Sequence, residues 1–92
     1  MKTSVEEIEE RLKKVILERA SQPIQADEIH SDVALVGEGL GLDSVALLEV
    51  VVGVEEEFDI ILDDSALTVE QFQALGTLAR YIQAQLEEQA AS

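Results

Sequence analysis

Apolar side chains recur at helical spacing in the middle of the chain, directly after the pair Asp43 and Ser44. Aspartate and serine are favoured at helix N-caps because their side-chain oxygens accept the unpaired backbone N–H groups of the first turn. One apolar stripe follows the i, i+3, i+4, i+7, i+11 pattern of a face buried in a core. It comprises Leu47, Val50, Val51, Val54 and Phe58. The pattern predicts a helix from the Asp43 and Ser44 pair to Phe58.

A second apolar stripe runs along the same predicted helix, and acidic residues flank it. It comprises Val45, Leu48 and Val52, with Glu49, Glu55 and Glu56 beside it. Two interpretations are open. Other helices enclose the stripe as ordinary core, or the stripe is an exposed docking patch with an acidic rim, since apolar patches bordered by polar groups mark interaction sites.

The first helix is predicted from a capping signal and apolar spacing. Ser4 and Glu7 have the separation of a capping box. Apolar positions then recur from Val5 to Ile16, which predicts a helix to about Ala20. Its early acidic and later basic residues suit the helix dipole, and its charged face is interpreted as solvated.

The last helix is predicted from about Ala74 to Glu87, with a core face that matches that of the central helix. Its apolar positions are Leu75, Leu78, Ala79, Ile82 and Leu86. Tyr81 is interpreted as a packing residue with its hydroxyl at the rim rather than as a catalytic acid. Residues 87–92 are expected to fray.

The connections carry turn residues and apolar anchors. Pro23 opens a long loop that leads to three glycines and is anchored irregularly on the core. Its anchors are Ile24, Ile29, Val33, Leu35, Val36 and Leu40. Residues 60–62 have β propensity, but without a second strand to pair with they are predicted to form a loop that seals the bundle. A capping box at Thr68 and Gln71 predicts a short third helix to about Phe72.

Length and charge narrow the class of protein and its partners. The 92 residues suffice for one domain, with an ordered core of about residues 4–86. Twenty acidic residues against 6 basic ones give a formal charge of −14. This excess disfavours nucleic acid and anionic membranes as partners, and favours proteins with basic patches.

The residue types that are missing restrict the chemistry. Without cysteine, disulfides and thiolate metal sites are excluded, so any thiol must come from a cofactor. The residues after Met1 lack the apolar region of a secretory signal, which predicts a cytoplasmic protein. Glu49 interrupts the longest apolar stretch, which is too short to span a bilayer. We expect a monomer without membrane insertion.

The residues around Ser44 resemble those of the acyl carrier proteins, in which a D-S-[LIV] serine opens the second helix and E-E-E-F closes it. The matching residues are Gly41-Leu42-Asp43-Ser44, then Glu49, then Val54-Glu55-Glu56-Glu57-Phe58-Asp59-Ile60. The resemblance extends from about Ser4 to Leu86, although only the Ser44 region is specific. It implies an all-α, acyl-carrier-like four-helix bundle with three longer helices, one short helix and a long first loop, spanning a single carrier domain over residues 1–92.

The resemblance also implies a function. Ser44 would carry 4′-phosphopantetheine, transferred from coenzyme A by a phosphopantetheinyl transferase that recognises the adjacent Asp43. Acyl intermediates of fatty-acid, specialised lipid or polyketide-like biosynthesis would ride as thioesters on the terminal thiol of that arm. The helix N-terminus suits the phosphate.

Two further sets of residues follow from the resemblance. Acyl-processing enzymes with basic patches would dock on Val45, Leu48, Glu49, Val52, Glu55 and Glu56, with Asp43 at the edge. An acyl cavity beside the second helix would be lined by Leu47, Val51, Val54, Phe58, Ile61 and Ala79. A filled core is the alternative for the second set.

The chain departs from the commonest carrier pattern in three places. Residues 35–42 contain one residue more and two additional glycines, which is closer to stand-alone carriers of specialised pathways. Ala46 stands where carriers often have an acid, so one docking charge is missing. Gly53 costs about 1 kcal/mol relative to alanine within a helix. Either close packing against a neighbouring helix or local give near a cavity explains it.

Other functional classes fit less well. A nucleophile, base and orienter made of Ser44, His30 and Asp43 is disfavoured because Asp43 adjoins the serine and no G-x-S-x-G elbow is present. A calcium loop is absent, and the Asp63 and Asp64 pair is not a cage. The open alternative is an unmodified acidic adaptor that docks through the second helix and does not need Ser44.

Overall fold

The computed structural model describes residues 3–20, 23–62 and 68–91 and contains three α-helices and two short 3₁₀ helices in that part of the chain. The α-helices are α1 (Val5–Arg19), α2 (Ser44–Phe58) and α3 (Leu75–Ala91). The 3₁₀ helices are Ala26–Glu28 in the long first loop and Val69–Phe72 before α3. The predicted all-α, acyl-carrier-like fold is confirmed, and its short third helix is 3₁₀ rather than α.

Helix α1 is the element that holds the other two α-helices together, because it packs against both α2 and α3. The Ser4 hydroxyl caps it by accepting from the Glu7 N–H at 3.2 Å, as the capping signal predicts. Its buried residues are Ile8, Leu12, Val15 and Ile16. These side chains belong to a single core.

Helix α2 begins and ends where its local sequence predicts. The Asp43 carboxylate accepts from the Ala46 N–H at 2.8 Å and so caps the first turn. The helix stops at Asp59, which adopts a left-handed conformation with φ of 54°. Along the first apolar stripe four residues are buried and Leu47 is half-buried. That stripe is therefore the core face.

Helix α3 is longer than the apolar pattern predicts. It continues to Ala91, so the predicted end near Glu87 is too early. A reason is visible at Gln89, whose side-chain amide accepts from the Ile61 N–H at 3.1 Å and donates to the Ile61 carbonyl at 2.9 Å. This pair of bonds fastens the last turns of α3 to the loop after α2.

The long first loop is fixed to the start of α3 by backbone hydrogen bonds. The Leu75 N–H donates to the Val33 carbonyl at 2.9 Å, and the Gly76 N–H donates to the Ser31 carbonyl at 2.9 Å. The Leu35 N–H donates to Phe72 at 3.0 Å. The apolar anchors predicted for the loop are buried or half-buried. The loop therefore has a defined path across the bundle.

The glycines of this loop lie in a tight backbone turn before α2. The Leu40 N–H donates to the Ala34 carbonyl at 2.8 Å. A Cβ atom on Gly39 would lie 1.9 Å from the same Ala34 oxygen, which no side chain could tolerate. Gly37 and Gly41 adopt positive φ angles of 62° and 67°. The extra glycines thus meet the steric demands of this turn.

The segment after α2 is a loop, as predicted, and its side chains alternate between core and solvent. Ile60 and Leu62 are buried, whereas Ile61 is 78% exposed. The Thr68 capping box opens the second 3₁₀ helix as predicted. Asp63 and Asp64 lie outside the described residues.

Candidate functional site

Ser44 is an exposed residue at the first position of α2. The chain before it is held in place, since buried Leu42 donates its N–H to the Leu35 carbonyl at 2.9 Å. Asp43 uses one carboxylate oxygen to cap the Ala46 N–H. Within the described residues the Ser44 hydroxyl makes no hydrogen bond. An accessible hydroxyl therefore stands on a fixed backbone at a helix N-terminus.

The second apolar stripe of α2 faces solvent. Val45 is 68% exposed, Leu48 is 62% exposed and Val52 is 42% exposed. At 3.6 residues per turn, Ser44 lies on the same side of the helix as Leu48 and Val52. The stripe is thus an exposed patch that starts at Ser44, and it is not enclosed core.

The acidic rim of this patch already contacts groups of the same chain. Arg19 of α1 pairs with Glu49 at 3.5 Å through Nη1 and with Glu56 at 2.5 Å through Nη2. On the other edge, half-buried Glu55 accepts from the Leu62 N–H at 2.9 Å. Two of the rim carboxylates therefore have a cationic partner, and Glu55 has a neutral one.

A further contact between α1 and α2 is not predicted by the sequence pattern. Arg11 Nε lies 2.9 Å from a carboxylate oxygen of Glu57, and Arg11 Nη2 donates to the Glu57 carbonyl at 2.6 Å. The guanidinium carbon is also 4.3 Å from the Phe58 ring centroid. Lys14 lies 3.9 Å from Glu57. Three basic residues of α1, which was interpreted above as having a solvated charged face, thus pair with acids of α2: Arg11, Lys14 and Arg19.

Gly53 faces Val15 and Arg19 of α1. A Cβ atom there would be 2.6 Å from Val15 Cγ1 and 3.3 Å from both Cγ and Nε of Arg19. Close packing against a neighbouring helix, one of the two explanations offered for this glycine, is therefore supported. The missing side chain gives Arg19 room to lie across α2.

Ala46, where a docking charge was expected to be missing, is only 4% exposed. An acid at this position would face the core rather than the exposed patch. The substitution therefore takes nothing from the rim formed by Glu49, Glu55 and Glu56.

The residues proposed for an acyl cavity separate into two groups. Val51, Val54, Phe58 and Ala79 are buried in the core, and Leu47 is half-buried against it. Ile61 is exposed to solvent, so it does not lie with the other five in the core. Its neighbours Ile60 and Leu62 are both buried. A chamber between the other residues stays a prediction.

The site fits a covalently bound phosphate ester. The Ser44 hydroxyl is accessible, and the dipole and unpaired N–H groups of a helix N-terminus favour an anion there. Among the described residues no group of three or more acidic or histidine side chains is arranged to hold a metal ion. Nor does any described helix combine the length and apolar character needed to cross a bilayer.

Comparison with known proteins agrees with this geometry. A family model for the phosphopantetheine attachment site matches residues 7–82. The acyl carrier protein of Buchnera aphidicola subsp. Acyrthosiphon pisum (strain Tuc7) is 40% identical over 57 residues, which cover 62% of this chain and 68% of that protein.

Two further relatives named acyl carrier protein match to a similar extent. The protein of Nitratidesulfovibrio vulgaris (strain DP4) is 37% identical over 57 residues, 62% of this chain and 71% of the relative. That of Desulforapulum autotrophicum is 39% identical over the same shares. The chain therefore belongs to the acyl carrier protein family, whose phosphopantetheine-attachment domain bears covalently bound 4′-phosphopantetheine.

Proposed function

We propose that the Ser44 hydroxyl is the atom to which 4′-phosphopantetheine is attached. The observation that carries this assignment is an exposed serine with a free hydroxyl at the first position of α2, within the region that matches the attachment-site family. The preceding residue, Asp43, fixes the helix start by capping the Ala46 N–H. Asp43 is our candidate for recognition by the transferase.

The modification needs a transferase and coenzyme A. A phosphopantetheinyl transferase would form a bond between Ser44 Oγ and the phosphorus that bears the pantetheine unit. The pyrophosphate linkage of coenzyme A breaks, adenosine 3′,5′-bisphosphate leaves, and the serine proton passes to a base on the transferase. This chain has no cysteine and therefore no thiol of its own. The attached arm supplies the terminal thiol on which thioester bonds form.

The exposed patch on α2 is suited to transient docking of the enzymes that load and use the arm. Burial of Val45, Leu48 and Val52 would supply affinity, and the acidic rim would attract basic residues. Exposed charge pairs are weak and screened by salt, so we expect fast, weak and salt-sensitive complexes. Such complexes suit a shuttle that visits several enzymes.

The wider assignment follows from the same reasoning. The protein would work as a cytoplasmic monomer that carries acyl intermediates in fatty-acid, specialised lipid or polyketide-like biosynthesis. A growing acyl chain would be sheltered by core residues beside α2, among them Val51, Val54 and Phe58. The family match favours this carrier over the unmodified adaptor.

The test is the intact mass of the protein before and after incubation with coenzyme A and a broad-specificity transferase. We expect the mass to increase by one phosphopantetheine unit. Ser44→Ala should abolish the increase completely while leaving the circular dichroism spectrum and unfolding midpoint nearly unchanged, because Ser44 is exposed and Asp43 provides the cap. Ser31→Ala is a matched control on an exposed serine of the long loop and should be modified normally. Modification of the Ser44→Ala variant would refute the assignment.

A further inference from the structure

The exposed patch of α2 has two chemically different edges. Viewed along a helix of 3.6 residues per turn, Ser44 and Glu55 lie on one side of Leu48 and Val52, and Glu49 and Glu56 lie on the other. Among the described residues, the Glu55 carboxylate accepts from the neutral backbone N–H of Leu62 and has no cationic partner. Glu49 and Glu56 share the guanidinium of Arg19. A partner therefore meets uncompensated negative charge on one edge and an ion-paired cluster on the other.

Arg19 can bridge two carboxylates that are two helical turns apart because of Gly53, which lies between them. Without a Cβ at Gly53, the Arg19 side chain lies directly on α2 and reaches both acids. The flat guanidinium offers several N–H groups in fixed directions, which suits simultaneous contact with two carboxylates. The bridge is a consequence of the way α1 packs on α2.

The bridge remains open to exchange. The Arg19 side chain is 30% exposed, and its partners Glu49 and Glu56 are 54% and 65% exposed. Ion pairs with this much exposure contribute little to folding and are readily replaced by other ions. Arg19 is thus held near the patch by α1, but its ion pairs with Glu49 and Glu56 are weak.

From this arrangement we propose that Arg19 is an intramolecular competitor for the basic residues of docking partners. A lysine or arginine of a partner that covers the patch must displace Arg19 from Glu49 or Glu56 before it can pair there. The exchange lowers affinity on that edge and directs the partner's strongest cation toward the Ser44 and Glu55 edge. Arg19 is therefore a specificity-determining residue of the docking surface. The proposal rests on the function proposed above.

The direct test is titration of isotope-labelled protein with a synthetic helical peptide that has an apolar face bordered by lysine and arginine. Backbone amide shifts over residues 44–58 report the binding site and the dissociation constant. At low ionic strength we expect Arg19→Gln to bind the peptide about threefold to tenfold more tightly than the unchanged chain, with the gain shrinking as salt is added.

Lys14→Gln is the matched control. It removes the same charge from the same helix, but Lys14 faces Glu57 rather than the two bridged acids. If Lys14→Gln tightens binding as much as Arg19→Gln does, net charge explains the effect and the proposal fails. It also fails if Arg19→Gln binds no better, or if the shifts lie outside α2. Circular dichroism of both variants verifies that the fold is retained.

A second measurement separates this proposal from the carrier assignment. With the broad-specificity transferase, Arg19→Gln should lower the KM for the protein by a similar factor without changing kcat, because Ser44 is untouched. Absence of any mass increase in all variants would refute the carrier assignment, while the peptide titration would still decide the role of Arg19. An unchanged KM together with normal modification would refute the competition at the transferase interface.

Discussion

The two halves of α2 treat their exposed side chains in opposite ways. In the first half, Ser44, Val45 and Leu48 face solvent, and no acidic side chain occupies the first turn. In the second half, Glu55, Glu56 and Glu57 all bond to other parts of the chain. The same helix thus presents an accessible apolar surface at its start. At its end the acids are bonded within the chain, Glu56 and Glu57 to cations and Glu55 to a neutral N–H that leaves its charge uncompensated. Proximity in sequence to the acidic run does not by itself make a carboxylate available to a partner.

The largest expected effect, on modification by the transferase, comes from disrupting the exposed apolar surface in the first half of α2. Leu48→Ser should lower kcat/KM for the transferase about tenfold or more, because burial of a leucine side chain is worth roughly 1.5–3 kcal/mol. Leu17→Ser is the matched control, since Leu17 is also an exposed leucine, at 40%, but lies on α1. It should be modified at the normal rate. Equal losses in both variants would contradict a specific patch on α2.

The next largest effect is expected on stability, at Gly53, where the second half of α2 packs against α1. Gly53→Ala should lower the free energy of unfolding by about 1 kcal/mol, because overpacking of about 1–3 kcal/mol exceeds a propensity gain of about 1 kcal/mol. Urea denaturation measures it. In a Val15→Ala background, which removes the atom nearest to the new Cβ, the same change should become neutral or stabilising. Additive effects of the two substitutions would show that Val15 is not the obstacle.

A smaller effect is expected at the Arg11 bridge. Arg11→Gln removes two hydrogen bonds to Glu57 and the contact with the Phe58 ring. With Arg11 partly exposed, we expect a loss of about 1 kcal/mol in thermal or urea unfolding. Lys14→Gln, which removes a 3.9 Å pair of a 62% exposed lysine, should cost less than about 0.5 kcal/mol. The opposite ranking would mean that net charge, rather than the bonded bridge, joins the two helices.

The smallest expected effect is a response of the whole chain to ions. With a formal charge of −14, self-repulsion should exceed the four exposed or half-buried ion pairs described between α1 and α2. Added sodium chloride should therefore raise the melting temperature by a few degrees, about what a fraction of a kcal/mol produces in a domain of this size. Magnesium at equal ionic strength should raise it further. A fall in melting temperature would show that the bridges, not the repulsion, dominate.

Local signals were sufficient to predict where the helices lie. The caps at Ser4, Asp43 and Thr68 and the apolar stripe of α2 are read from residues within one or two turns of each other. The exposure of the second stripe was not decided by spacing, because it depends on how many helices surround α2. The structure settles it through the solvent exposure of Val45 and Leu48.

Contacts between distant residues were the part that the sequence did not predict. Arg11 and Glu57 are separated by 46 positions, and Arg19 and Glu56 by 37. Nothing in the local pattern of α1 distinguishes a lysine or arginine that pairs within the helix from one that reaches α2. The misplaced end of α3 has the same origin, since Gln89 is stabilised by Ile61, 28 positions away.

The two hydrogen bonds between Gln89 and Ile61 couple the end of α3 to the loop after α2, so that the two segments move together. A group attached beyond Ala91, whether a tag or a following domain, would pull on Ile61 through two hydrogen bonds. The same linkage works in the opposite direction. A spectroscopic label placed near the end of α3 would sense movement of the loop after α2 without occupying the docking surface itself.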